Sequence, residues 1–180
     1  MTMLDHLRSR AIEPARYHLH YDEETTCFYL FNLTGQFVGY QQYRPAADKT
    51  RKNDPKLGRY FNYVLHGPEK GSVNAVWGLE TFGYRSDVLF IVEGIFDAAK
   101  LHNQGLPAIA ALANDPKHIR PWLRIIRQTR VIIGVSDNDA AGSKLKNSVD
   151  INLQLSDSKD LGDMSNDEVR NFLCKNEIRL

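Results

Sequence analysis

The sequence predicts an α/β protein: a mainly parallel sheet of about four strands flanked by helices, preceded by a small antiparallel β-rich subdomain. Three observations predict it. Val88–Val92 and Val131–Val135 are apolar runs rich in β-branched residues, of strand length and suited to burial on both faces. From residue 88 onward, strand-like runs alternate with helical patterns, as in a parallel sheet with helical crossovers. Before residue 86, aromatic and β-branched runs are punctuated by turn-forming clusters, as in antiparallel hairpins. Residues 1–86 are therefore expected to form the β-rich subdomain and residues 87–180 the α/β domain.

Taken in order, Asp5 is expected to cap a short helix over His6–Ile12, closed by Pro14. His18 and His20 alternate about Leu19, as on a strand; with no third ligand nearby, exposed positions on an edge strand are expected rather than a metal site. Cys27–Phe31 and Gln36–Tyr43 read as a hairpin about the turn Asn32-Leu33-Thr34-Gly35. A loop over 44–59 comes next, broken by Pro45, Pro55 and Gly58. Arg59–Leu65 returns as a third antiparallel strand. Gly67-Pro68 and Gly71 mark another loop. Val73–Phe82 has no decisive pattern, and Trp77 and Leu79 are expected to pack the join to the α/β domain.

Strand 88–92 leads to a helix over Ile95–Asn103 with Gly105 as its stop, then a short small-residue strand over Ala108–Leu112. A helix over Ile119–Gln128 carries Pro121 in its first turn, where proline is tolerated. Its apolar side is Ile119, Leu123 and Ile126; Arg120, Arg124 and Arg127 form the other side, read as solvated. Strand 131–135, a helix over Ala141–Asn147 and a strand over Ile151–Leu155 come after it. Ser165-Asn166-Asp167-Glu168 is a capping box that opens the last helix, to about Lys175.

At 180 residues the chain suits one domain, or one domain with a small satellite. With 42% hydrophobic and 25% charged residues it reads as globular rather than disordered. No apolar run approaches the roughly 20 residues that span a bilayer, and the start MTMLDHLRSR lacks the apolar core of a signal peptide. The 2 cysteines have no CxxC partner, which argues against a disulfide framework or zinc ribbon and for a reducing, cytoplasmic compartment. The net charge of +1 is unevenly spread: residues 136–169 carry a net −5 and residues 44–59 a net +4. The acidic segment suits cations and the basic one polyanions.

Both buried strands end on acids. Val88–Val92 runs into Glu93-Gly94, with Asp97 in the first turn of the following helix; Val131–Val135 runs into Ser136 and then Asp137-Asn138-Asp139. Open parallel sheets hold ligands at such an edge. Asp137 and Asp139 are alternate residues and can reach one cation. Converging carboxylates repel one another unless a cation neutralises them. Magnesium takes oxygen ligands and commonly pairs one or two carboxylates with phosphates, in support of phosphoryl or nucleotidyl transfer. Alone, each short motif is commonly a surface turn, and Asp97 alone is a residue that favours the helix dipole.

The combination of Glu93-Gly94-Ile95-Phe96-Asp97 with Asp137-Asn138-Asp139-Ala140-Ala141-Gly142, 44 residues later, resembles the E-G-x-x-D and D-G-D-x-A-G motifs of toprim domains, with Asn138 in place of the middle glycine. The resemblance extends to the catalytic core of bacterial and phage-type DNA primases. Asn32–Tyr40 is similar to their D-x-x-G-x-V-x-G-F hairpin, Arg59-Tyr60-Phe61-Asn62 to K-Y-x-N, Val76-Trp77-Gly78-Leu79 to L-Y-G-L, and Ser158–Asp163 to the acidic K-D-P-D-D segment. The match covers roughly Phe28–Leu173. The zinc ribbon, the larger N-terminal half of the core and the helicase domain of such primases find no counterpart, so a pared-down, phage-like core is expected.

The resemblance implies a toprim, Rossmann-like fold and Mg²⁺-dependent synthesis of short RNA primers on single-stranded DNA in replication, with Mn²⁺ as a substitute ion. Glu93 would be the general base or metal organiser. Asp137 and Asp139 would hold the metal, with Asp97 beside them. Asp160 and Asp163 either extend that site or form a solvated acidic loop. Arg44 and Arg59 would hold phosphate, joined by Lys49, Arg51 and Lys52. Partners would be the DNA template and NTPs, with a helicase or other replication protein in trans. Two alternatives stay open: a toprim nuclease that cuts DNA or RNA with the same acids, and a non-catalytic module that docks on nucleic acid or a replication protein.

Overall fold

The computed structural model describes residues 1–49, 54–65, 74–113, 115–136, 142–155 and 159–178. The chain divides into two compact units, Met1–Trp77 and Gly78–Leu180.

The first unit opens with helix α1 (Met3–Ser9), and its N-cap differs from the expected one. Thr2 is the cap: its hydroxyl accepts from the Asp5 N–H at 3.1 Å while the Asp5 carboxylate accepts from the Thr2 N–H at 3.2 Å. Asp5 therefore sits three residues into the helix and completes a capping box, which satisfies two otherwise orphaned donors. Strands β1 (Leu19–Tyr21), β2 (Thr26–Phe31), β3 (Phe37–Tyr43) and β4 (Tyr60–Val64) form an antiparallel sheet in chain order. The hairpin turn between β2 and β3 lies where the sequence puts it. Asn32 Oδ1 accepts from the N–H groups of Thr34 and Gln36, both at 3.0 Å, and Gly35 takes a left-handed φ of 82°. β1 is an edge strand and His18 and His20 are exposed.

One face of this sheet makes the core. Thr26, Phe28 and Leu30 alternate inward along β2 and are fully buried. Trp77 joins them, 1% exposed, against Tyr17 at 4.7 Å and Phe28 at 6.1 Å between ring centroids. Expected at the join, Trp77 packs inside the first unit; Val76 bridges Phe31 and holds it there. Burial of rings of this size contributes roughly 2–3 kcal/mol each.

The second unit contains β5 (Val88–Val92), α2 (Ile95–His102), β6 (Ala108–Ala110), α3 (Arg120–Ile126), β7 (Val131–Ser136), β8 (Ile151–Gln154) and α4 (Asn166–Lys175). All four strands are parallel, in the order β6-β5-β7-β8. Leu89, Phe90, Ile91 and Val92 are buried, as are Ile132, Ile133 and Val135, which accounts for their continuous apolar character. Gly105, at φ 77°, ends the turn after α2. The architecture is the expected one: an antiparallel four-stranded sheet, then a helix-flanked parallel α/β sheet.

Several details depart from expectation. Residues Gly142–Ser148 form 3₁₀ turns, not the α-helix expected over 141–147. Gly142, Ser143, Asn147 and Ser148 are poor helix formers. The strand expected over 108–112 ends at Ala110, and Leu112 adopts a left-handed φ of 58°. α3 is shorter than expected and is preceded by a 3₁₀ turn over Lys117–Ile119. Its arginines are not all solvated. Arg120 Nη2 pairs with Asp115 at 2.7 Å and its Nε donates to Ser148 Oγ at 2.8 Å; Arg127 Nε pairs with Asp150 at 2.6 Å. These partners come from before α3 and from the 148–150 turn, which helical spacing alone does not reveal. Among the described residues, no helix is long and apolar enough to cross a membrane.

Candidate metal and phosphate site

β5 and β7 are neighbours, paired Val88↔Val131 through Ile91↔Gly134. The chain leaves β5 to one side for β6 and then crosses to the other side for β7. The boundary between β5 and β7 is thus the switch point of the sheet, the place at the carboxyl ends of the strands where open α/β sheets generally bind ligands. Glu93 comes directly after the last residue of β5 and is exposed. Ser136 ends β7, and Asp137 is next in the sequence; Asp137 and Asp139 themselves lie outside the described residues. The Glu93 carbonyl accepts from the Leu112 N–H at 2.9 Å, so the loop after β6 is tied to the same edge.

Gly94 is the N-cap of α2 and Asp97 is its third helical residue. Asp97 Oδ2 accepts from the Gly94 N–H at 3.0 Å, and a Cβ on Gly94 would stand 2.7 Å from that oxygen. A side chain at this position would require the Asp97 carboxylate to shift. Asp97 Oδ1 accepts from the Gly162 N–H at 2.7 Å. Gly162 belongs to a 3₁₀ turn, Leu161–Asp163, closed by a bond from the Asp163 N–H to the Asp160 carbonyl at 2.9 Å. Leu161 and Gly162 are buried, whereas Asp160 and Asp163 are exposed. Asp97 therefore fastens the Asp160–Asp163 turn to the first turn of α2, beside the end of β5. Sequence reading missed Gly162 as that donor; its glycine between two acids was the available signal.

The residues present suit a hard cation. Glu93, Asp97, Asp160 and Asp163 carry carboxylate oxygens, the hard ligands that Mg²⁺ takes, and two backbone donors orient the carboxylate of Asp97. Among the described residues no group of three or more ligands is assembled. A Mg²⁺ site commonly needs only one or two carboxylates, its remaining positions filled by water and phosphate.

In the first unit, the Arg44 N–H donates to the Arg59 carbonyl at 2.8 Å and extends the β3–β4 ladder by one step. The Arg44 guanidinium donates to the Lys56 carbonyl, and Arg59 Nε to the Ala47 carbonyl at 3.1 Å. Both arginines are half-buried and brace the 44–59 loop. A guanidinium carries five N–H donors, more than this bracing uses. Lys49 is exposed; Arg51 and Lys52 lie outside the described residues.

No protein-family model matches the chain, and no curated protein does. Solved structures do. The zinc-binding and RNA polymerase domains of Aquifex aeolicus primase match with a TM-score of 0.64 and 14% identity over 95% of this chain and 55% of that one. A DnaG primase catalytic domain bound to single-stranded DNA gives a TM-score of 0.61 and 15% identity over 95% of this chain and 58% of that one. The Escherichia coli primase catalytic core gives 0.56 and 17% over 93% and 56%. The chain spans 55–58% of the length of these three primase structures. Its fold is that of the bacterial primase catalytic core.

Proposed function

We propose that the chain is a primase-type nucleotidyltransferase that makes short RNA primers on single-stranded DNA with Mg²⁺. The observation that carries this reading is the parallel pairing of β5 with β7 at the switch point, since the acids Glu93 and Asp137-Asn138-Asp139 come directly after those two strands in the sequence. The primase fold and the solved primase domain bound to single-stranded DNA support the substrate class.

In this reading Glu93, Asp137 and Asp139 hold the cation, with Asp97, Asp160 and Asp163 around them. When bound, Mg²⁺ supplies charge neutralisation for the triphosphate and lowers the pKa of an attacking oxygen. Glu93 accepts the proton of the attacking 3′-hydroxyl or orients the cation. Asp97 holds the Asp160–Asp163 turn against α2. Arg44 and Arg59, with Lys49, Arg51 and Lys52, bind phosphate without reading sequence.

The test is incubation with single-stranded DNA, labelled NTPs and Mg²⁺ or Mn²⁺. Short RNA is the expected product, and it falls at least about a hundredfold with Glu93→Gln or Asp137→Asn, the usual scale for loss of a group that stabilises charge in the transition state. Strand cleavage without synthesis contradicts the reading.

A further inference from the structure

Strands β2 and β3 bury one face of the first unit's sheet, and its other face is aromatic where such faces are ordinarily polar. Alternation and register put Tyr29 and Phe31 of β2, Tyr40 of β3, and Phe61 and Tyr63 of β4 on that outer face. Tyr29 lies opposite Tyr40, Tyr40 opposite Tyr63, and Phe37 opposite Phe31 after a bulge. The rings form two groups side by side, Phe31, Phe37 and Tyr29 in one and Tyr40, Tyr63 and Phe61 in the other. Phe31 and Phe37 lie 6.3 Å apart, Phe37 and Tyr29 5.6 Å, and Tyr40 and Tyr63 are stacked at 5.5 Å and 26°. Cross-strand pairing explains the ring contacts. It does not explain why the row remains open to water: Phe37 is 53% exposed, Tyr63 47% and Tyr29 36%.

Charge adds a second, independent observation. The ladder continues one residue past Tyr43 and Tyr60 through the Arg44–Arg59 bond. The period of two then puts Arg44 in line with Tyr40 and Gln42, and Arg59 in line with Phe61 and Tyr63, on the same outer face. Two cations thus end the aromatic row. Among the described residues, no acid occupies an outward position of β2, β3 or β4.

We propose that this face is a stacking platform for a single strand of DNA, its bases on Tyr40, Tyr63 and Phe37 and its phosphates on Arg44 and Arg59. Aromatic rings accept the π-face of any base, and aligned cations track the backbone. Two strand spacings of about 4.8 Å separate β2 from β4 and give a row of roughly 10 Å, room for about two bases, within what an aromatic four-stranded sheet can hold. That the strand is a DNA template rests on the function proposed above; the stacking itself does not require catalysis.

The experiment measures fluorescence anisotropy of a labelled thymidine oligonucleotide and of an abasic oligonucleotide of equal length, without NTPs, at one salt concentration. Wild type should bind the thymidine strand at least about fivefold more tightly, the lower end of what one stacked base contributes. Tyr40→Ala/Tyr63→Ala should lose that preference, whereas Tyr40→Phe/Tyr63→Phe should keep it. Circular dichroism checks folding; if the alanine pair unfolds, Phe37→Ala serves in its place. Equal binding of the two strands by wild type overturns the proposal, as does a preference that survives ring removal. Loss of self-association in Phe37→Ala with unchanged DNA binding also overturns it, by assigning the face to a second copy. Primers made with ring-independent binding would sink the platform alone, and ring-dependent binding without primers would sink the catalytic reading alone.

Discussion

Asp97 Oδ1 and the Gly162 N–H, 65 residues apart in sequence, form a 2.7 Å hydrogen bond that fastens the acidic 160–163 turn to the start of α2. The other oxygen of the same carboxylate caps that helix through the Gly94 N–H. Asp97→Ala removes both acceptors and strands a buried glycine N–H. A loss of about 2–4 kcal/mol in stability is expected, from two bonds to a charged group at about 1.5–3 kcal/mol each with partial replacement by water. Hydrogen exchange at the Gly162 amide should accelerate more than the global loss requires. An unchanged Gly162 amide would show that the turn is held by other contacts.

Gly39 of β3 lies against β4 with no room for a side chain. A Cβ there would collide with the Tyr63 carbonyl oxygen and stand 2.9 Å from Val64 Cα, both backbone atoms. Gly39→Ala must therefore push β4 away. Destabilisation of about 1–3 kcal/mol is expected, with NMR shift changes concentrated in Phe61–Leu65. Because the same displacement opens the Tyr40–Tyr63 pair, preference for a thymidine over an abasic strand should fall as well.

Asp150 bridges two elements: Oδ2 accepts from the Ile132 N–H at 2.8 Å and Oδ1 from Arg127 Nε at 2.6 Å. Asp150→Ala should cost about 1–3 kcal/mol, mostly from the stranded backbone donor. Arg127→Ala should cost less, because the ion pair is about a third exposed and is screened by solvent. Denaturant melts of the two variants check the order; a larger loss for Arg127→Ala would contradict it.

Lys159, then the Ser165 backbone N–H and hydroxyl, hold the Glu168 carboxyl down at about 2, below its ordinary 4.5. A folded value below the unfolded one means that the group stabilises the fold fully above pH 4.5 and that this contribution is lost as pH falls towards 2. NMR titration of the Glu168 side chain should give a midpoint far below 4.5, and the α4 amides nearest Ser165 should lose protection in that window. A midpoint near 4.5 would contradict the capping box and the Lys159 contact together.

Legibility in the sequence depended on whether the cause was local. Val88–Val92 and Val131–Ser136 were readable because strands buried on both faces must be apolar throughout, and their terminal acids marked the edge. The Ser165–Glu168 capping box was readable for the same reason: it spans four residues. Thr2 caps α1, although Asp5, also a good capping residue, lies nearer the apolar pattern. The pairing of Arg120 with Asp115 and of Arg127 with Asp150 depends on where the turns around α3 come to lie, which no helical period encodes. The aromatic row was visible as strand propensity only. That Tyr29, Tyr40 and Tyr63 share one face is a consequence of register, and register depends on the bulge at Leu30/Phe31.

The carboxyl edge of β5 and β7 is proposed to hold one divalent cation through Glu93 and the acids just after Ser136. Titration of Mn²⁺ monitored by electron paramagnetic resonance tests it most directly, on wild type, Glu93→Gln and Asp137→Asn/Asp139→Asn. The account predicts one site in wild type and at least about a tenfold loss of affinity, equivalent to roughly 1.4 kcal/mol, in each variant with unchanged circular dichroism. Equal Mn²⁺ binding by all three proteins would contradict it.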